Sequence, residues 1–183
     1  VQVSFAVTTA SVGKNGGQNK LSSPSSEGKA KRQGGDDNAL KDGKGKDTTT
    51  GGAGKDILMG GPDNDQPFVA SGLHYMEDNE DADTMPGKAG QDDMIGGSPF
   101  ADTADGVDTL DGNENQDVMA GDNASIDSLT DTADLIDLDS TDTSLYANDV
   151  MNDNEGNEDM YDGSADTMHD NAGDDYLEDK DDA

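Results

Sequence analysis

An all-β repeat fold, held together by something other than an apolar core, is what the sequence predicts, and three observations carry that expectation. Only 30% of the 183 residues are hydrophobic and 4% aromatic, against roughly 45–50% apolar in ordinary globular domains. Acidic residues number 42 against 11 basic ones, and only seven of the 42 are Glu. Glu is a good helix former, whereas Asp favours turns and hard-cation coordination. From Gly51 onward, large apolar residues recur at a spacing dominated by nine, most of them preceded two positions earlier by an acidic residue.

Composition also excludes several classes. Without cysteine there is no disulfide framework, no thiolate zinc site and no thiol nucleophile. No uninterrupted apolar run exceeds three residues, Ile57-Leu58-Met59 being one, so no membrane insertion is expected. The chain opens without an initiator Met, a charged n-region or an apolar h-region, which reads as a processed product or a fragment. Residues 1–55 hold nine basic and five acidic residues, a net of +4, while the other 128 hold two and 37, a net of −35. Such a tail repels nucleic acid, whose phosphates need clustered Lys and Arg. It attracts cations instead.

Val1-Gln2-Val3-Ser4-Phe5-Ala6-Val7 alternates apolar and polar residues, which predicts a short strand within 1–12. Residues 13–50 are rich in Gly, Ser, Lys and Asn, the composition of a flexible basic linker. At Gly51-Gly52-Ala53-Gly54-Lys55-Asp56-Ile57-Leu58-Met59 the texture changes to G-G-x-G-x-D-x-U-x, where U is a large apolar residue. The U frame continues through Met76, Met85, Met94, Leu110 and Met119, then Met151, Met160, Met168 and Leu177. Two residues before these markers stand Asp56, His74, Asp83, Asp92, Asp108, Asp117, Asp149, Glu158, Asp166 and Asp175. The nonapeptide Gly60–Phe68 keeps its Asp65 but carries Pro67 at U. The frame therefore divides the chain into repeat blocks at 51–121 and 144–183, separated by an interruption or capping element at 122–143.

This spacing resembles the calcium-binding nonapeptide repeats of the RTX (repeat-in-toxin, haemolysin-type) family, over some sixty per cent of the chain. The resemblance implies an all-β fold, a parallel β-roll (solenoid) in two blocks after an irregular Gly/Ser/Lys-rich N-terminal segment. Two nonapeptides would make one coil, so Asp65 would lie above Asp83 on one edge, with Asp56, His74 and Asp92 on the other. Asp149 would stack with Asp166, and Glu158 with Asp175.

Stacked carboxylates at a strand spacing of about 4.8 Å repel one another, and Ca²⁺ with oxygen ligands at about 2.3–2.6 Å turns that repulsion into attraction. The candidate ligands are Asp56, Asp65, Asp83, Asp92, Asp108, Asp117, Asp149, Glu158, Asp166 and Asp175. Gly52, Gly54, Gly90 and Gly173 would shape turns whose carbonyls face the ion. Asp63, Asp78, Asp81, Asn115, Asp153, Asp162, Asp170 and Asp179 replace pattern glycines. Asn and Asp tolerate φ > 0 best after Gly, and these carboxylates also add anionic oxygens near each site.

No H-E-x-x-H, G-x-S-x-G, phosphate-binding loop or complete EF-hand occurs, so no enzyme is expected. The expected function is a calcium-folded structural module of a secreted or cell-surface protein, with several Ca²⁺ ions as cofactor. Its partners would be a larger parent polypeptide or copies of itself. One alternative is a self-assembling extracellular filament or surface layer joined through the basic and acidic ends. Another is a disordered acidic chain that sequesters calcium.

Overall fold

The structure, a computed structural model, describes residues 8–11, 19–22, 30–33, 37–101, 103–127, 132–135, 147–163 and 167–179. These residues form strands and turns, with no helix among them. The first strands are β1 (Thr8–Ser11), β2 (Asn19–Ser22), β3 (Ala30–Gln33), β4 (Asn38–Lys41) and β5 (Thr48–Thr50). Then come β6 (Gly54–Met59), β7 (Gln66–Phe68), β8 (Ser71–Glu77), β9 (Thr84–Ile95), β10 (Thr109–Glu114) and β11 (Val118–Ala120). β12 (Ala124–Asp127) and β13 (Thr132–Leu135) form a hairpin. β14 (Val150–Glu155), β15 (Asp159–Asp162), β16 (Thr167–His169) and β17 (Tyr176–Asp179) follow.

The pairing is parallel everywhere except in that hairpin. Odd strands β1, β3, β5 and β7 pair in one row, and even strands β2, β4, β6 and β8 in another. β9 continues the even row's sheet: Thr84–Ala89 pair with β10, while Ala89–Ile95 pair with β8. Partners lie eighteen residues apart where the repeat is regular, as Gly54 does from Gly72 and Ser71 from Ala89. The offset widens to 25 between β9 and β10, where residues 96–107 intrude, and to 41 between β10 and β14, where the hairpin segment intrudes. In the regular stretch partners are thus two nonapeptides apart, the offset is 17 to 22 toward the two ends, and insertions loop out while the pairing stays parallel.

The period-two alternation of a strand places one face inward. In β6, Asp56 and Leu58 are buried while Lys55 and Ile57 face out. The core is a column of repeat markers: Leu58, Met76, Met85, Met94, Leu110, Met119, Met151 and Met160, each fully buried. Met168 is only partly buried, and Leu177 is exposed on the last pass. A second cluster joins Ile95, Val118, Ala120 and Tyr161 to Ala124 and Ile126 of the hairpin strand β12.

Three features add to the sequence reading. The two repeat blocks are one continuous sheet, because Thr109 of β10 pairs directly with Val150 of β14. The hairpin in 122–143 packs beside β9, β11 and β15. The stretch 13–50, read as a linker, contains β2 to β5, with Leu40 in the core and Asn38, Asp47 and Thr49 buried. It has too few apolar residues to order itself, but Leu40 joins the core and each short strand pairs with a later one. The expected strand over Val1–Val7 lies outside the described residues, as does Asp166. No helix among the described residues is long and apolar enough to cross a membrane.

Candidate metal sites

The turns between the rows carry two ladders of buried carboxylates. On one edge the backbone N–H of Asp47 donates to Asp65 Oδ1 at 2.8 Å, and that of Asp65 to Asp83 Oδ1. Asp83 N–H then donates to Asp108 Oδ1 at 2.8 Å, and Asp108 N–H to Asp149 Oδ1 at 2.7 Å. On the other edge Asn38 N–H donates to Asp56 Oδ1 at 2.8 Å, His74 N–H to Asp92 Oδ1 at 3.0 Å, and Asp92 N–H to Asp117 Oδ1 at 2.8 Å. Glu158 N–H donates to Asp175 Oδ1 at 3.1 Å. The expected stacking of Asp65 on Asp83, of Asp56, His74 and Asp92, and of Glu158 on Asp175 is present. For Asp149, the N–H of Thr167 bonds its carbonyl at 3.0 Å.

Each rung uses one carboxylate oxygen and leaves the other. The Oδ2 atoms of Asp56, Asp65, Asp83, Asp92, Asp108 and Asp117 are buried without a hydrogen-bond partner. A glycine lies over five of them. A Cβ at Gly51 would sit 2.5 Å from Asp56 Oδ2, and one at Gly60 2.7 Å from Asp65 Oδ2. The same holds at 2.8 Å for Gly87 over Asp92, 2.6 Å for Gly112 over Asp117 and 2.5 Å for Gly96 over Asp108. These glycines make room for a carboxylate, whereas φ > 0 belongs to other positions, among them Gly52 and Gly54 (φ 114 and 112). Asp63, Asp81 and Asn115, which replace pattern glycines, are left-handed as expected (φ 81, 71 and 87). Gly90 is left-handed too, and a Cβ at Gly173 would collide with Asp175 Oδ1.

Burial leaves these groups reluctant to ionise. It pushes Asp65 up to about 9, with the Asp83, Asp47 and Asp42 charges adding to the shift. Asp108 rises to about 10 by burial and then the Asp149 charge, Asp117 to about 8 by burial and then Asp92, and Asp83 to about 7 by burial. Glu158 rises to about 9 by burial, then by the adjoining Asp153 carboxyl. A cation is what relieves such crowding.

His74 departs from the ladder. Its Nδ1 lies 2.6 Å from Asp92 Oδ1 and its Nε2 3.6 Å from Asp56 Oδ2, with all three side chains buried. The imidazole bridges the two neighbouring rungs.

Three carboxylate groups draw within 4.8 Å of one another: Asp105 with Asp108 and Asp149, Asp122 with Asp149 and Asp162, and Asp153 with Glu158 and Asp175. Two oxygens on one Ca²⁺ at about 2.3–2.6 Å cannot be much further apart than this. The D-x-U pattern misses Asp105, Asp122, Asp153 and Asp162, which stand off its acidic position. For Asp153 and Asp162 the signal was an acid where the repeat calls for glycine. Comparison with family models, with curated proteins and with solved structures finds no match.

Proposed function

We propose that this chain is a calcium-binding structural module, a parallel β-roll of RTX-like turns whose folding is driven by the metal, within a secreted or cell-surface protein. The observation that carries this reading is the row of buried carboxylate oxygens without hydrogen-bond partners on Asp56, Asp65, Asp83, Asp92, Asp108 and Asp117, along both edges. Unpaired buried anions are costly. At strand spacing, two neighbouring carboxylates repel by about 0.8 kcal/mol in water and about 3 at an effective dielectric near 20. The available donors are oxygens, apart from the His74 imidazole, which suits a hard cation of flexible coordination such as Ca²⁺. Calcium in extracellular fluid is abundant enough for weak, repeated sites, whereas in calcium-poor cytosol the chain would stay extended. In this reading the chain supplies a scaffold.

The test is a calcium titration followed by far-UV circular dichroism, with light scattering on the same sample. A cooperative coil-to-β transition in the sub-millimolar to millimolar range, on the order of 10⁻⁴–10⁻³ M, is expected. A spectrum already rich in β structure in excess chelator, or no transition at about 10 mM calcium, overturns the reading. Growth in mass during the transition would mark assembly of copies.

A further inference from the structure

The rung at His74 lacks both features of its neighbours. Asp56 and Asp92, which flank it in the parallel register, each lie under a glycine, Gly51 and Gly87. His74 replaces the carboxylate, and Val69, buried in the core, stands where the preceding pass has Gly51. The imidazole itself is held unevenly. Its Nδ1 lies 2.6 Å from Asp92 Oδ1, a short hydrogen bond that places the ring proton on Nδ1. Its Nε2 lies 3.6 Å from Asp56 Oδ2, beyond the roughly 2.7–2.9 Å of a charged N–H···O bond. Both of these last atoms are buried without a hydrogen-bond partner. Two lone pairs therefore face each other across a buried gap. The other oxygen of Asp56 accepts the Asn38 N–H at 2.8 Å and the Asn38 Nδ2 at 2.7 Å, which fixes where Oδ2 points.

We propose that His74 Nε2 and Asp56 Oδ2 bind a divalent transition metal ion of the Zn²⁺ type, with Asp92 as the carboxylate that orients the imidazole. The roll that holds the site rests on the calcium reading above, and the inference goes beyond that reading by giving this rung a different ion. Ligands at about 2.0–2.2 Å around a tetrahedral ion stand roughly 3.4 Å apart, close to the 3.6 Å found here. At that distance a direct N–H···O bond is poor, whereas a shared cation satisfies both lone pairs at once. Imidazole nitrogen suits Zn²⁺, Ni²⁺ or Cu²⁺, while Ca²⁺ takes oxygen. A metal-bound histidine donates its other ring N–H to a carboxylate or carbonyl, which is the part Asp92 plays. With two side-chain ligands, the remaining positions fall to water or turn carbonyls, so the site is weaker than a closed four-ligand zinc site.

The experiment titrates Zn²⁺ by calorimetry into the full chain in saturating calcium, so that the carboxylate rungs are already occupied. His169, the other histidine of the chain, is exposed and serves as the control. One zinc ion is expected to bind wild type and His169→Gln alike, and to bind His74→Gln at least about tenfold more weakly. Nitrogen-15 NMR of the wild type reads the same site without a substitution: His74 should carry its proton on Nδ1, and zinc should shift Nε2. Equal zinc binding by wild type and His74→Gln, or a His74 ring protonated on both nitrogens and unmoved by zinc, overturns this inference and leaves the calcium reading standing. Absence of calcium-induced folding in the wild type overturns the calcium reading and this inference with it.

Discussion

The backbone N–H of Asp92 donates to Asp117 Oδ1 at 2.8 Å across 25 residues of chain, leaving Asp117 Oδ2 buried beneath Gly112 without a partner. One carboxylate thus does two jobs: it fixes the register between passes and presents a charge that the folded chain alone does not satisfy.

Asp117→Asn separates those jobs. The amide oxygen can still accept the Asp92 N–H, while the charge that repels Asp92 and Asp153 is gone. The chelated protein should gain β structure relative to wild type, and the calcium midpoint should rise or the transition lose cooperativity. Circular dichroism with and without calcium reads both. Loss of β structure in both conditions would show that Asp117 serves register alone.

Gly112→Ala tests the room above the same oxygen. Its Cβ would fall 2.6 Å from Asp117 Oδ2 and 3.4 Å from its carboxyl carbon. The carboxylate would have to shift, at a cost of about 1–3 kcal/mol typical of overpacking. Denaturant melts in saturating calcium should show that loss. Unchanged stability would mean the carboxylate swings aside freely.

How much of this was visible in the sequence depends on the interaction. The core column was legible, since Leu58, Met76, Met94 and Met119 recur in a nine-residue frame and lie fully buried. So was the stacking of Asp65 with Asp83, which follows from two nonapeptides per pass. The strands before Gly51 were not, because Asn38 and Thr49 stand where the pattern has an acid and a large apolar residue. The N–H-to-carboxylate rungs were not legible either, because they arise only once separate passes are set in register. The roles of the glycines were half legible: φ > 0 was foreseen, but Gly51 and Gly112 are there for the volume of an oxygen.

Lys88 is exposed, and its backbone is left-handed at φ 81, a conformation costly for a long L side chain. Lys88→Gly should stabilise the calcium-loaded fold by about 1 kcal/mol, read as a raised urea midpoint at high salt so that the lost charge is screened. A lowered midpoint would show that the Lys88 side chain contributes more than its backbone strain costs.

The raised carboxyl groups set a pH dependence for the metal-free chain. A carboxyl with a folded pKa above its unfolded value favours folding fully below the unfolded value, about 4. That contribution is lost as pH rises through the folded values, about 7 for Asp83, 8 for Asp117 and 9 for Asp65. In metal-stripped buffer, β structure should therefore be greatest near pH 4 and fall steadily toward pH 8, where calcium restores it. Dichroism that rises with pH without metal would contradict this.

His74 offers the sharpest contrast with its neighbours, because one imidazole spans Asp56 and Asp92, where the repeats from Gly51 onward otherwise have a carboxylate. His74→Asp regularises the rung. The backbone N–H that bonds Asp92 Oδ1 is unchanged, and the stack from Asp56 to Asp92 becomes an unbroken run of acids. Three adjacent buried charges then repel without metal, so the chelated variant should be less ordered than wild type. With calcium, the added carboxylate should bind more metal and steepen the transition. Isothermal titration calorimetry counts the ions, and dichroism gives the slope. A variant with wild-type stoichiometry and a shallower transition would show that the imidazole already stands in for a bound cation at that rung.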